Sequence, residues 1–217
     1  MGSAIRRSRR QARAHAAYWA RPQVGTLTYV ALGDSAGVGV GVDDARLGYV
    51  GLIAQRLERT TGQAVRTVNL CVSGARAQDV LSTQLPELAA IGAPDVVTCL
   101  IGGNDVAWAP FFDARRFAHT MTSIAARLPE RSVLGTVPHF LHWPYETRAR
   151  KANRAIHRAA EAGGHVIADI HAATKKLSLG RYLRTFAGDR FHPNEHGHAL
   201  WAEAIWDHIL PRNSPVR

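Results

Sequence analysis

The stretch Tyr29-Val30-Ala31-Leu32-Gly33-Asp34-Ser35-Ala36-Gly37-Val38-Gly39 decides how the chain is read. Its opening residues suit a buried strand, and glycines then punctuate a turn. An Asp-Ser pair stands where that strand ends. In an open parallel sheet, ligands bind in the crevice outside the carboxyl ends of the strands. A serine at such a turn projects its hydroxyl into the crevice, and flanking glycines permit a tight turn and a close approach. Gly-Asp-Ser is also ordinary turn chemistry, so its meaning depends on what the rest of the chain brings beside it.

From Thr28 onward, short β-rich runs alternate with segments of helical period. Thr28–Leu32, Val65–Leu70, Val96–Ile101, Ser132–Val137 and Val166–Ile170 read as strands. Between them Tyr49–Thr61, Ala77–Leu88, Ala114–Leu128 and Glu146–Ala162 read as helices. Asn194–Leu210 closes the chain as a helix, with Leu200, Ala204, Ile205 and Ile209 facing inward. This alternation predicts α/β architecture, a parallel sheet covered on both faces in a three-layer α/β/α sandwich. Right-handed crossovers place the strand-to-helix loops along one edge. A length of 217 residues suits one domain, read here over 26–212 behind a basic leader over 1–25.

The formal charge of +10 is not spread evenly. Arg6, Arg7, Arg9, Arg10, Arg13 and Arg21 precede the first acid, Asp34, which leaves +4 for the remainder. The basicity belongs to the leader, and specific nucleic-acid recognition is not implied. The leader lacks the apolar core stretch and cleavage site of a secretory signal, and no apolar run approaches the roughly 18 residues of a membrane helix. A cytoplasmic location is the resulting expectation. The leader reads either as a solvated, helical or frayed terminus pinned by Tyr18 and Trp19, or as a contact for an anionic membrane or polyanion. Cys71 and Cys99 end apolar runs and read as buried free thiols, with a disulfide between them as the open alternative; neither has metal-ligand spacing, so no zinc site is expected, and no cofactor is expected either.

The chemistry collects in the loops after successive strands. Asp34-Ser35 follows the first, Val72-Ser73-Gly74-Ala75 the second and Gly102-Gly103-Asn104-Asp105 the third. Gly188-Asp189-Arg190-Phe191-His192-Pro193-Asn194 opens the last helix. Ser35 is a poor nucleophile until a base takes its proton, a task that suits His192 near neutral pH. Asp189 would hold the other imidazole nitrogen, and the Asp-x-x-His spacing draws both side chains from one turn. The N–H groups of Ser35 and Gly74 and the amide of Asn104 are candidate donors to a developing oxyanion. Asp34 and Asp105 read as supports for their turns rather than as acids. His192, His196 and His198 cluster, but no carboxylate or thiol completes a metal site. His196 and His198 therefore read as residues of the final helix's surface or first turn.

These segments, in this order, resemble the SGNH hydrolases, the GDSL lipase/esterase superfamily. The blocks are Gly33-Asp34-Ser35, Ser73-Gly74, Gly102-Gly103-Asn104-Asp105 and Asp189-x-x-His192-Pro193, and the resemblance spans Thr28 to Leu210. Ala36 stands where the family's usual name has leucine, at a variable position. The resemblance implies a flavodoxin-like five-strand parallel sheet, a Ser35–His192–Asp189 triad and no metal. It further implies hydrolysis of small-molecule esters, or transfer of the acyl group to a sugar or other alcohol. A catalytically idle binding module is the rival from another class, and the intact triad argues against it.

Aromatic residues crowd two further loops at the same edge. Trp108, Pro110, Phe111 and Phe112 follow the third block, and 138–145 follow the fourth strand. Trp108, Phe111, His139, His142 and Trp143 are expected either to wall an apolar acyl or aryl pocket or to sit in surface loops packed on the core.

Overall fold

The computed structural model describes residues 2–108 and 111–209. Its sheet has the five strands β1 (Leu27–Gly33), β2 (Val65–Asn69), β3 (Val96–Leu100), β4 (Val133–Gly135) and β5 (Val166–Ala168), all parallel. Their order is β2-β1-β3-β4-β5. The chain steps from β1 outward to β2 and returns past it to β3, so the winding reverses beside β1. Loops diverge at such a switch point and leave a crevice at the carboxyl ends of the strands. Leu27 pairs with Val65 at one end of β1, and Gly33 with Leu100 at the other.

The two-residue strand period divides the core. Val30, Leu32, Val97, Cys99 and Leu134 enter one layer, while Tyr29, Ala31, Val96, Leu100 and Val133 enter the other. Tyr29 to Leu32 are fully buried, which is why β1 reads as an unbroken apolar run rather than an alternating one. The first layer is covered by α7 (Ala114–Ala125) and α8 (Tyr145–Gly163), with Phe117, Met121, Ile124 and Ile156 inward. The second is covered by α3 (Tyr49–Thr61) and α11 (Glu195–Trp206), with Ile53, Leu57, Ala202 and Ile205 inward. The three-layer expectation and the strand centres hold.

Several local expectations change. The segment expected as one helix over 77–88 comprises α4 (Ala77–Asp79), a π-helical turn over Val80–Gln84 and α5 (Leu85–Ile91). Pro86 cannot donate a backbone hydrogen bond, and its ring crowds the preceding turn, which disfavours a regular α-helical path. Leu85 N–H instead donates to Val80 O in the wider register. The short helices α2 (Ser35–Val38), α6 (Gly103–Ala107), α9 (Ile170–Lys175) and α10 (Leu179–Leu183) are too brief to show a period in sequence. The last helix starts behind an Asn194 cap and stops at Trp206. Its buried face is Gly197, His198, Ala202 and Ile205, with Leu200 and Ala204 only half-buried. Leu210, and with it the end of the expected domain at 212, lies outside the described residues, as does Pro110.

The basic leader forms the helix α1 (Gly2–Trp19), docked along its length rather than only at its end. Trp19 Nε1 donates to Val38 O at 3.1 Å, and His15 Nδ1 donates to Gly39 O at 3.0 Å. Gly41 N donates to Gln11 Oε1 at 3.2 Å, and Arg7 pairs with Asp43 at 2.7 Å. Arg6, Arg9, Arg10 and Arg13 face outward. Among the described residues no helix is long and apolar enough to cross a membrane.

Candidate active site

Ser35 opens α2 where β1 ends, and it is buried. Asp34 caps this short helix, its Oδ1 accepting from Ala36 N at 3.0 Å, in the turn-organising role expected of it. Burial pushes the Asp34 carboxyl up to about 6, against the opposing effect of that hydrogen bond. Gln84 braces the residue before it: Oε1 accepts from Gly33 N at 2.8 Å, and Nε2 donates to Gly33 O at 2.8 Å. Asn69 Nδ2 donates to Gly37 O at 2.8 Å on the other side of the turn. Neither brace is evident in the sequence, where both residues sit inside expected elements.

The structure brings Ser35, His192 and Asp189 together. His192 Nε2 lies 3.0 Å from Ser35 Oγ, and His192 Nδ1 lies 2.6 Å from Asp189 Oδ2. The carboxylate fixes the tautomer: Nδ1 donates to it, leaving Nε2 free to accept from the serine. Asp189 Oδ1 accepts from Phe191 N and His192 N, each at 3.0 Å, so one side chain shapes both the turn and the ring orientation. Burial works to raise the Asp189 carboxyl, but hydrogen bonds from His192, Ser8 and the backbone outweigh it and hold it below the usual carboxylate range. The two loops meet at Gly41, where φ is +109° and a Cβ would stand 1.9 Å from Pro193 O. Glycine is required there both for the left-handed backbone and for the close approach.

The candidate oxyanion donors lie on the adjacent loops. Gly74 has φ of +88° with open space before it, so its backbone conformation, not crowding, calls for glycine. Among the described residues the N–H groups of Ser35 and Gly74 have no protein acceptor. Asn104 is buried and spends one amide hydrogen on Ala75 O at 2.9 Å, leaving the other. Asp105 Oδ2 accepts from Ala77 N at 3.1 Å and joins the second and third loops, the support expected of it.

His198 lies in the first turn of the last helix, one of the two places expected for it, and faces inward. It is fully buried on α11, with Nδ1 accepting from Tyr49 N and Nε2 donating to Val40 O, each at 3.2 Å. Burial pushes its pKa down to about 4, so the ring is neutral and serves as a cross-brace. His196 is exposed as expected. The convergence of metal-capable donors found among the described residues lies elsewhere, at His139, Glu146 and His171. Burial acts to raise Glu146, but Arg150 at 2.7 Å, Phe140 N at 3.0 Å and both imidazoles hold it at about 2. That carboxylate is already neutralised within the protein and fastens the β4–α8 loop. Cys71 and Cys99 are buried and free, and burial raises both thiols, Cys99 to about 12.

The five aromatic and histidine residues expected at the pocket do not share one wall. A cavity of about 800 Å³ lies between the β4–α8 loop and the 182–191 segment, walled by Phe140, His142, Tyr182, Phe186 and Phe191. His142 is the member of the expected set that lines it. His139 turns away to Glu146. Trp143 is 82% exposed, and Phe111, 91% exposed, borders a separate cleft with Arg76 and Arg116. Trp108 packs on Phe191 at 5.2 Å between ring centroids, and Phe191 meets His192 edge-on at 5.1 Å. Trp108 thus reaches the site through one intervening ring.

Comparison with known proteins bears on the family and the fold. The chain is 26% identical over 200 residues to a GDSL-like esterase of Mycobacterium tuberculosis, an alignment covering 87% of this chain and 63% of that protein. The chain therefore spans less than two thirds of that relative's length. An acetylxylan esterase from Geobacillus stearothermophilus superposes with a TM-score of 0.68 at 22% identity, over 85% of this chain and 94% of the other. An α/β hydrolase enzyme from the metagenome of Lake Arreo gives a TM-score of 0.66 at 24% identity, over 85% and 95% of the two chains. These likenesses establish the shared fold. The model of the GDSL-like lipase/acylhydrolase family matches residues 31–200, from within β1 to within α11. A match that crosses every strand and takes in Ser35, Gly74, Asn104, Asp189 and His192 carries the conclusion that this chain belongs to the GDSL-like lipase/acylhydrolase family.

Proposed function

We propose that the protein hydrolyses small-molecule carboxylic esters through an acyl-Ser35 intermediate. The observation that carries this reading is the continuous line Ser35 Oγ–His192–Asp189, with contacts of 3.0 and 2.6 Å. As Ser35 attacks the ester carbonyl, His192 Nε2 takes its proton, and Asp189 stabilises the resulting imidazolium. The N–H groups of Ser35 and Gly74 and the amide of Asn104 face the charge that develops on the carbonyl oxygen. Collapse expels the alcohol, which receives the proton from His192. Water then repeats the sequence, with His192 again as base, and releases the acid and free Ser35.

The aromatic lining of the 800 Å³ cavity beside Phe191 supports an acyl or aryl group as its occupant. Hydrolysis of p-nitrophenyl esters from acetate to palmitate, compared between the wild-type chain and Ser35→Ala, tests the reading. Turnover lost in the variant supports it; turnover retained contradicts it. If acid appears slowly and an added sugar or alcohol captures the acyl group faster than water does, the same intermediate serves an acyltransferase. The outward Arg6, Arg9, Arg10 and Arg13 support a contact with anionic membrane, for which salt-sensitive cosedimentation with anionic but not neutral vesicles is the check.

A further inference from the structure

Asp189 has a partner that lies outside the four sequence blocks. Ser8, on α1 and 181 positions earlier in the chain, donates its hydroxyl to Asp189 Oδ2 at 2.5 Å. The same oxygen accepts from His192 Nδ1 at 2.6 Å, while Oδ1 is occupied by the two backbone N–H groups. The carboxylate therefore has four donors, and α1 provides one of them. A hydrogen bond to a charged acceptor is among the stronger ones, and with Ser8 on Oδ2 and two N–H groups on Oδ1 the carboxylate is held in the orientation in which Oδ2 meets the imidazole.

The rest of α1 is built to hold Ser8 in this place. One turn on, Gln11 accepts from Gly41 N and donates to Asp43 Oδ1 at 3.1 Å. His15 and Trp19 then reach Gly39 and Val38. Ser8, Gln11, His15 and Trp19 follow helical spacing, so a single face touches both the loop after Ser35 and the turn that bears His192. The helix bridges the nucleophile's loop and the acid–base loop. A cleft of about 540 Å³ is lined by Arg7, Ser8, Gln11, Phe186, Gly188 and Asp189.

We infer that Ser8 is a positioning residue of the active site, and that α1 belongs to the catalytic apparatus rather than being a detachable leader. The inference rests on the Ser35–His192–Asp189 reading given above. Ser8 touches no reacting atom; it acts by fixing the carboxylate that orients His192.

The test uses the full chain and the isosteric pair Ser8→Thr and Ser8→Val, which differ in the hydroxyl alone, with p-nitrophenyl acetate as substrate. Ser8→Val should lower kcat roughly tenfold with KM within about twofold, the scale of one lost hydrogen bond to a charged group. Ser8→Thr should retain at least about half of the wild-type kcat. Arg46→Ala, which removes only an exposed ion pair with Asp44 outside α1, should leave kcat unchanged. Equal kcat for Ser8→Thr and Ser8→Val, with Ser35→Ala inactive, would overturn the role of Ser8 and leave the triad standing. Activity in Ser35→Ala would overturn the triad reading, and this inference with it.

Discussion

Gln84 satisfies both main-chain groups of Gly33, donating to its carbonyl and accepting from its amide, each at 2.8 Å. Gly33 is the last residue of β1, two positions before Ser35, so a side chain from the π-helical turn fixes the backbone that leads into Ser35. Gln84→Met preserves the volume and strands a buried N–H. The variant should lose about 2 kcal/mol of stability in denaturant unfolding and show reduced kcat. Unchanged stability together with unchanged kcat would show that the brace is dispensable.

Two buried groups titrate in the same window with opposite effects. The folded-state value of Asp34 is raised from 3.8 to about 6 by burial, so the folded protein binds an extra proton there and gains stability as pH falls from 6 toward 4. The value of His198 is lowered from 6.5 to about 4, so the unfolded chain binds the extra proton and stability falls as pH drops over the same range. Each contribution amounts to about 3 kcal/mol across the window. They largely cancel in the wild type. Asp34→Asn should therefore be more sensitive to acid between pH 6 and 4 than the wild type, and His198→Gln less. Parallel stability curves for all three proteins would refute the assignment.

The wall of the larger cavity sets a specificity prediction. Phe186→Ala enlarges the space beside Phe191 and should raise the kcat/KM ratio of longer to shorter acyl esters by about tenfold. Trp143→Ala and Phe111→Ala remove exposed rings outside that cavity and should leave the ratio unchanged. A shift in the Trp143 or Phe111 variant, with none at Phe186, would move the acyl pocket elsewhere.

What the sequence discloses and what it conceals follow from the physics of each element. β1 and β3 are legible because strands buried on both faces must be apolar throughout, and the loop blocks are legible because their glycines, Asp189, His192 and Pro193 sit at fixed spacing. Asp34 and Asp105 hold their turns as their residue types suggest. The docking of α1 is not legible, because the helix touches the domain through Ser8, Gln11 and His15, polar side chains that resemble a solvated face. Their helical spacing, ending in Trp19, is the signal that was available. The inward turn of His198 is hidden for the same reason: its burial is offset by hydrogen bonds with Tyr49 N and Val40 O, residues distant in sequence. The pocket wall is obscure because aromatic content does not tell which rings turn inward. Phe140 and Phe186 do so, and Trp143 does not.

Acyl transfer through Ser35 can be caught by mass spectrometry of protein quenched with acid during turnover of p-nitrophenyl acetate. The predicted result is an acetyl group on the peptide containing Ser35 and nowhere else, absent from Ser35→Ala. Turnover with no adduct on Ser35, or an acetylated peptide elsewhere that persists in Ser35→Ala, would contradict it.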